Sequence, residues 1–263
     1  MLFRSVRDDR GQPAIGVQAA QELIEEGVVA VIGAVVSDVT LALAPVFQQA
    51  EIILMSPASS TPKLSNAGDF IYRNFPSDDL EALNTADYVF NVVHVPEAAV
   101  IAQQSEFGLG QKNSFIQRFR LLGGRALGQE SYPADASAET IAMHVGRLLA
   151  EDPPAIYIAG YTADTAMVAL AIRDAGSDAP LFGTGAVLPD DLVAAGGDAV
   201  EGLAFPQAPF DVESSADNVR RFIADYQTKY GMMPDVYAAH VSDAEIGRRR
   251  VGEEGRSRWS PSP

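Results

Sequence analysis

The 263-residue sequence contains no cysteine. Disulfides, thiolate metal sites and thiol nucleophiles are therefore excluded. Histidine is nearly as scarce, with three residues. His94, His144 and His240 lie on separate segments, so no metal-ligand spacing or Ser-His-Asp order can be drawn. No catalytic residue, metal or cofactor is expected. A Gly-rich phosphate loop of the P-loop or dinucleotide type is also missing. The FGLG run with Gly108 and Gly110 is a lone small-residue turn before a helix. No apolar run approaches the length of a membrane span, so no membrane insertion is expected. Positive charge is in short supply too. Nineteen Lys and Arg face 35 Asp and Glu, a formal net charge of −16. A surface that acidic repels phosphates and anionic lipid, and nucleic acid is not an expected partner.

What the chain does have is core and alternation. Hydrophobic residues make up 47% of it, which sets it apart from disordered chains. Strand patterns at Leu2–Asp8, Val28–Ile32, Ile52–Met55, Phe70–Asn74, Ala99–Ala102, Ala126–Ser131, Ala155–Ala159, Pro180–Phe182 and Glu201–Phe205 alternate with helical ones. The helices are expected over Pro13–Glu26, Asp38–Ala50, Asp78–Val92, Leu109–Leu122, Ala138–Ala150, Ala163–Ala175 and Pro189–Ala195. Asp217–Tyr230 and Val236–Ile246 close the readable part. Such alternation implies βαβ units and parallel sheets, an α/β fold. Breaks at Val93–Pro96 and Pro206–Asp211 mark two lobes. The first lobe is expected over 6–95, the second over 96–206, with a crossing segment and closing helices over 207–246.

Residues 28–61 are the most informative stretch. Strand Val28–Ile32 runs into a Gly-Ser turn and a helix. Strand Ile52–Met55 then ends in a hydroxyl-rich turn, Ser56 to Thr61. Both turns should lie side by side at the carboxyl edge of a parallel sheet, where open α/β sheets bind ligands. Hydroxyls and free N–H groups at a helix N-terminus suit a small anion such as a carboxylate. The same residues also serve as ordinary helix caps, and the residues alone leave both readings open. The pairs Glu25-Glu26, Asp78-Asp79 and Asp190-Asp191 point apart on a helix and form no acid/base pair by spacing. The last two sit at helix starts, where they favour the macrodipole. Phe107 and Tyr161 follow strands and are expected either to meet a ligand or to pack the lobes.

The two ends are unlike their neighbours. Residues 1–5, MLFRS, and 248–263, RRRVGEEGRSRWSPSP, resemble translated sequencing-adapter DNA. They are expected to be non-native and are left out of the fold reasoning.

The segments VAVIGAVVSDVT, AEIILMSPASSTPKL, YRNFPSDD, SEFGLG, IYIAGYTAD, GDAVEGLAF and YGMMPDVYAA follow one another in order. In that order and spacing they resemble the leucine/isoleucine/valine-binding proteins over roughly residues 6–246. The resemblance implies a type I periplasmic binding fold whose two lobes close on a ligand at a hinge. It implies an ABC-importer substrate-binding component, periplasmic or otherwise extracytoplasmic, with a permease and an ATPase as partners. A ligand sensor or activator on the same fold is the alternative. The family pattern has a further strand and helix ahead of residue 6 and continues past 246, so a fragment is expected, lacking the first strand and last crossing. By position, Ser37, Ala58 and Ser60 would hold the ligand's carboxylate and α-amino groups. Asp78 would be an acidic neighbour, with Phe107 and Tyr161 as ring contacts. The chain departs from the pattern at Gly185, where many relatives carry Asp or Glu facing the ligand's ammonium. Glycine offers no such charge. A carboxylate or amide without an amine then fits the rest, unless Asp164 or Asp190 substitutes.

Overall fold

The computed structural model describes residues 4–208 and 210–253. The chain divides into two compact units. One comprises the N-terminal part to Ser59, Lys63–Phe75 and the C-terminal part from residue 209. The other comprises Ser60–Pro62 and Pro76–Ala208.

In the first unit, α1 (Pro13–Glu25), β1 (Ala30–Ile32), α2 (Ser37–Ala50), β2 (Ile53–Ser56) and β3 (Ile71–Arg73) follow in chain order. The strands form a parallel sheet in the order β1-β2-β3, with Ala30 opposite Ile53 and Leu54 opposite Ile71. Proline at its first position starts α1, where its missing N–H has no intrahelical acceptor to lose. Apolar residues at helical spacing in α2, Val39, Leu43 and Phe47, pack with Leu54 and Ile71 of the sheet and Ala20 of α1. Helices α8 (Asp217–Tyr230) and α9 (Val236–Glu253) belong to this unit. Phe75 secures α9, stacking on Tyr237 at 5.6 Å and meeting His240 edge-on at 4.9 Å. The Asn74 amide donates to the His240 carbonyl at 2.8 Å.

The second unit contains α3 (Asp78–Asp87), β4 (Glu97–Gln103), α4 (Glu106–Leu121), β5 (Arg125–Tyr132), α5 (Ala138–Leu148), β6 (Ile156–Ala159), α6 (Thr162–Asp174), β7 (Leu181–Phe182) and α7 (Pro189–Gly196). Its parallel sheet runs β5-β4-β6-β7. The two-residue period of a strand sends alternate side chains to opposite faces. Ala99, Ile101, Ile156 and Ile158 therefore meet Ile141 and Val145 of α5, Ala169 and Ile172 of α6, and Leu192 of α7. Ala98, Val100, Ala102 and Tyr157 meet Ala82 and Ala86 of α3 and Phe115 and Phe119 of α4 on the other face. Strands covered on both faces read as continuous apolar runs, as Ala98–Ala102 and Ala155–Ala159 do. Phe115 stacks on Tyr157 at 4.4 Å and on Phe119 at 5.3 Å.

The α/β class and nearly every helix agree with the sequence. Three expectations differ. Residues 4–8 of the expected strand Leu2–Asp8 form no strand. Arg7 instead pairs with Glu22 at 2.8 Å and with Glu26, and Val6 is 83% exposed, so the segment lies on the polar face of α1. The rest of that strand, residues 1–3, lies outside the described residues. The expected strand Glu201–Phe205 reduces to one parallel bridge, Phe182 to Ala204. The sequence places residues up to 95 in a first lobe, whereas α3 and the turn Tyr88–Val92 belong to the second unit, where Ala82, Ala86 and Val89 are buried with Phe115 and Phe119. Of the expected foreign tail, residues 254–263 lie outside the described residues and α9 runs through Glu253.

Every residue of β6 is fully buried, whereas β1 is an edge strand whose residues are all partly exposed. Local opening should therefore cost least in β1. Amide hydrogen exchange is expected to be slowest in Ile156–Ala159 and markedly faster in Ala30–Ile32. Equal protection of the two strands would contradict this reading of where the fold is held.

Candidate functional site

The two turns of the first unit are tied together by one carbonyl. Parallel pairing of β1 with β2 brings the ends of both strands to the same edge. There the Ala34 carbonyl accepts from Ser56 Oγ at 2.7 Å, Thr40 Oγ1 at 3.2 Å and Ser59 Oγ at 3.3 Å. Ser59 Oγ also reaches the Val35 carbonyl at 3.0 Å and the Thr40 hydroxyl. Ser56 Oγ in turn accepts from the Ser59 N–H at 3.0 Å, with the Ala58 N–H at 3.5 Å. Three hydroxyls are thus used internally to lock the turns. Ser37 is different. It is the first residue of α2, 2% exposed, and its hydroxyl makes no hydrogen bond among the described residues.

The other expected residues fall in pairs within the second unit. The Asp78 N–H donates to the Ser60 carbonyl at 2.9 Å, which joins the Ser56–Thr61 turn to the start of α3. Phe107 stacks on Tyr161, centroids 4.8 Å apart and planes 22° from parallel. Phe107 is held by the start of α4, where Ser105 Oγ accepts the Gly108 N–H at 3.0 Å. That helix start lies tight against the sheet. A Cβ on Gly108 would stand 2.3 Å from the Gln103 carbonyl oxygen and 2.9 Å from that of Ala159. The two glycines of FGLG are therefore inside α4, and Gly108 permits its close approach.

Sequence reasoning missed Glu81, the centre of a polar network in this unit. Asp78 and Glu81 are three residues apart on α3 and share one face. The Tyr157 hydroxyl donates to Gln111 Oε1 at 2.9 Å, which orients the amide. Gln111 Nε2 then donates to Asp78 Oδ1 at 2.9 Å and to Glu81 Oε1 at 2.7 Å. Glu81 Oε1 also accepts the Gly185 N–H at 2.8 Å. The other oxygen, Oε2, lies 2.6 Å from where a Cβ on Gly185 would stand. The place a side chain at 185 would take is filled by Glu81. Of the two substitutes considered from sequence, Asp190 is exposed on α7, and Asp164 accepts from Gln103 Nε2 at 2.7 Å. The i, i+3 pairing of Asp78 with Glu81 was the available sequence signal.

Burial pushes the Glu81 carboxyl up to about 7, outweighing the Gly185 and Gln111 hydrogen bonds that favour its ionised form. The folded protein thus holds this proton more tightly than the unfolded chain. The resulting stability is present at acid pH and is lost as pH rises through about 7. Glu81→Gln should remove that slope. Thermal melts of the unliganded protein between pH 5 and 8 are expected to show the parent losing stability relative to Glu81→Gln by on the order of 1–3 kcal/mol. Parallel curves would mean that Glu81 titrates normally. Among the described residues no group of His, Asp and Glu could hold a metal ion.

The profile of the periplasmic binding protein family matches residues 4–244. The chain is similar to the Leu/Ile/Val-binding protein homolog 3 of Brucella melitensis biotype 1, with 26% identity over 249 residues, 93% of this chain and 67% of that protein. It spans 57% and 62% of the length of two further curated relatives. Its fold is similar to that of the leucine binding protein LivK from Thermotoga maritima, with a TM-score of 0.87 and 25% identity, covering 94% of this chain and 71% of that one. The substrate binding protein LivJ from Streptococcus pneumoniae, solved in complex with isoleucine, shares the fold at a TM-score of 0.81 and 20% identity, covering 93% and 70%. Parallel sheets flanked by helices, serine-lined turns at strand ends and a family match across almost the whole chain agree: the chain belongs to the periplasmic binding protein family, of the leucine/isoleucine/valine-binding type.

Proposed function

We propose that this chain is the solute-capturing component of an ABC importer and that its solute is a branched-chain amino acid or a related small carboxylate. The observation that carries the reading is the pair of locked turns in the first unit. Three hydroxyls spend their hydrogen bonds on the Ala34 and Val35 carbonyls, while Ser37, at the first position of α2, keeps its hydroxyl for something else. A carboxylate is the group that a helix start with a spare hydroxyl suits. Ser37, Ala58 and Ser60 are the proposed contacts to the solute's carboxylate and any α-amino group. Asp78, Phe107 and Tyr161 are the other proposed solute contacts.

The family is one of solute-binding proteins, and no catalysis is proposed. The proposed partners are a permease and its ATPase, and the proposed location is the periplasm or another extracytoplasmic space. Among the described residues no helix is long and apolar enough to cross a membrane.

Titration calorimetry with leucine, isoleucine and valine tests the solute class. If Ser37 and Ser60 hold a carboxylate, Ser37→Ala and Ser60→Ala should each weaken binding by about 1–3 kcal/mol, the range for a hydrogen bond to a charged group. The melting temperature without solute should barely move. Undiminished affinity in both variants would remove these turns as the carboxylate site.

A further inference from the structure

We propose that Asp164 is a positioning residue: from the first turn of α6 it sets the ring of Tyr161 against that of Phe107, and so shapes the aromatic surface that the second unit offers a solute. The inference rests on the solute-contact reading above only for what the rings do. The arrangement itself lies wholly within the second unit. Its first support is the way α6 begins. Tyr161 is the residue before the helix, with extended backbone (φ −82°, ψ 175°), and its side chain makes no cap hydrogen bond. A tyrosine there brings no short side-chain acceptor to the first turn, as Ser, Thr, Asp or Asn would. Asp164, at the third helical position, acts from the other side: its carboxylate accepts from the Tyr161 N–H. This is the reciprocal half of a capping box, and it fixes the backbone from which the Tyr161 ring departs.

The second support is that both rings are placed from the same strand end. Asp164 Oδ2 also accepts from Nε2 of Gln103, the last residue of β4, which is buried. Phe107 is placed from that residue too, because the neighbouring Gly108 lies against the Gln103 carbonyl oxygen. The turn from β6 into α6 is crowded to match. A Cβ on Gly160 would stand 2.7 Å from the Tyr132 hydroxyl and 3.2 Å from Asp164 Cβ. Tyr132, at the end of β5, is fully buried and has little room to give way. Thr184 Oγ1 holds the Gly160 carbonyl at 2.9 Å from beyond β7. The outcome is the stacked pair of Phe107, almost unexposed, under the partly exposed Tyr161. The partners of Asp164 are neutral. Elsewhere in this unit carboxylates meet basic side chains, Asp87 with Arg118 at 2.8 Å and Glu130 with His144 at 2.6 Å. Burial raises the Asp164 carboxyl above the ordinary range, outweighing its backbone hydrogen bonds. A carboxylate held against that cost by an amide and backbone N–H groups serves through its acceptor geometry.

The test uses the full chain labelled with 3-fluorotyrosine, the Tyr161 fluorine signal being identified by its loss in Tyr161→Phe. The ring current of Phe107 displaces that signal in the parent, and Phe107→Leu measures by how much. Asp164→Ala is expected to remove most of the displacement in the unliganded protein. It should also weaken leucine binding by about tenfold in calorimetry, as the loss of one aromatic contact does. Asp164→Asn, which keeps an acceptor for the Tyr161 N–H, should stay near the parent in both readouts. Ser137→Ala removes the hydroxyl that accepts the Thr140 N–H at the start of α5, and it should move neither, which separates positioning from lost stability. An unmoved Tyr161 signal in Asp164→Ala overturns the proposal and leaves the solute-capture reading standing. A moved signal with undiminished leucine affinity also overturns it, because the ring then touches no solute. A parent that binds neither leucine, isoleucine nor valine removes the solute reading instead, and the fluorine signal still decides whether Asp164 sets the ring. Should Asp164→Ala fold poorly, Gln103→Leu cuts the other tie and leaves the helix start intact. Its Tyr161 signal should move in the same direction, and an unmoved one overturns the proposal.

Discussion

Strand β4 is the constraint from which the second unit is built. Its neighbours on both sides are parallel, so no edge is open to water, and both faces are covered by helices. Residues Ala98 to Ala102 are essentially unexposed. Between Glu97 at its start and Gln103 at its end such a strand is apolar throughout. Several polar contacts of the unit are organised from that end. Gln103 holds Asp164, and Ser105 caps α4. The helix so started carries Phe107 to Tyr161, Gln111 to the two carboxylates of α3 and Phe115 to Tyr157.

Tyr157 shows how packing and polarity are coupled in that arrangement. Its ring is stacked on Phe115 in the core while its hydroxyl reaches Gln111. Burial and the nearby carboxylates push that hydroxyl well above the ordinary tyrosine range, so it remains a donor at all physiological pH. A donor fixed on Oε1 leaves the Gln111 amide only one orientation, with both N–H bonds aimed at Asp78 and Glu81. A core aromatic thereby fixes the position of a carboxylate two contacts away. Buried networks of this kind are high-stakes, because each member is satisfied only while the others are in place.

Much of this was legible in the sequence, for identifiable reasons. The long parallel strands announce themselves as apolar runs because both faces are buried, and the helices as 3.6-residue periods between them. The adjacency of the two serine turns follows from β1 and β2 being consecutive parallel strands. Short or exposed elements were not legible. Leu2–Asp8 has strand-forming residues, yet Arg7 pairs with Glu22 of α1 and Arg4 with Glu245 of α9, and residues 4–8 take an exposed, irregular course. Glu201–Phe205 has the apolar pattern, but it meets β7, only two residues long, which leaves room for a single bridge. Glu81 was missed for a different reason. A glycine at 185 reads as a lost charge along the chain, and only in three dimensions does α3 deliver a carboxylate to the vacated space. Asp164 and Asp190 lie nearer along the chain, but proximity along a loop says little about which helix passes over it.

The acidity of the whole chain bears on the same choice of solute. At a formal net charge of −16, the protein's field opposes the approach of any small anion until screening takes over, within roughly 10 Å at ordinary ionic strength. A monoanionic carboxylate meets that repulsion in full. A solute that is neutral overall meets almost none.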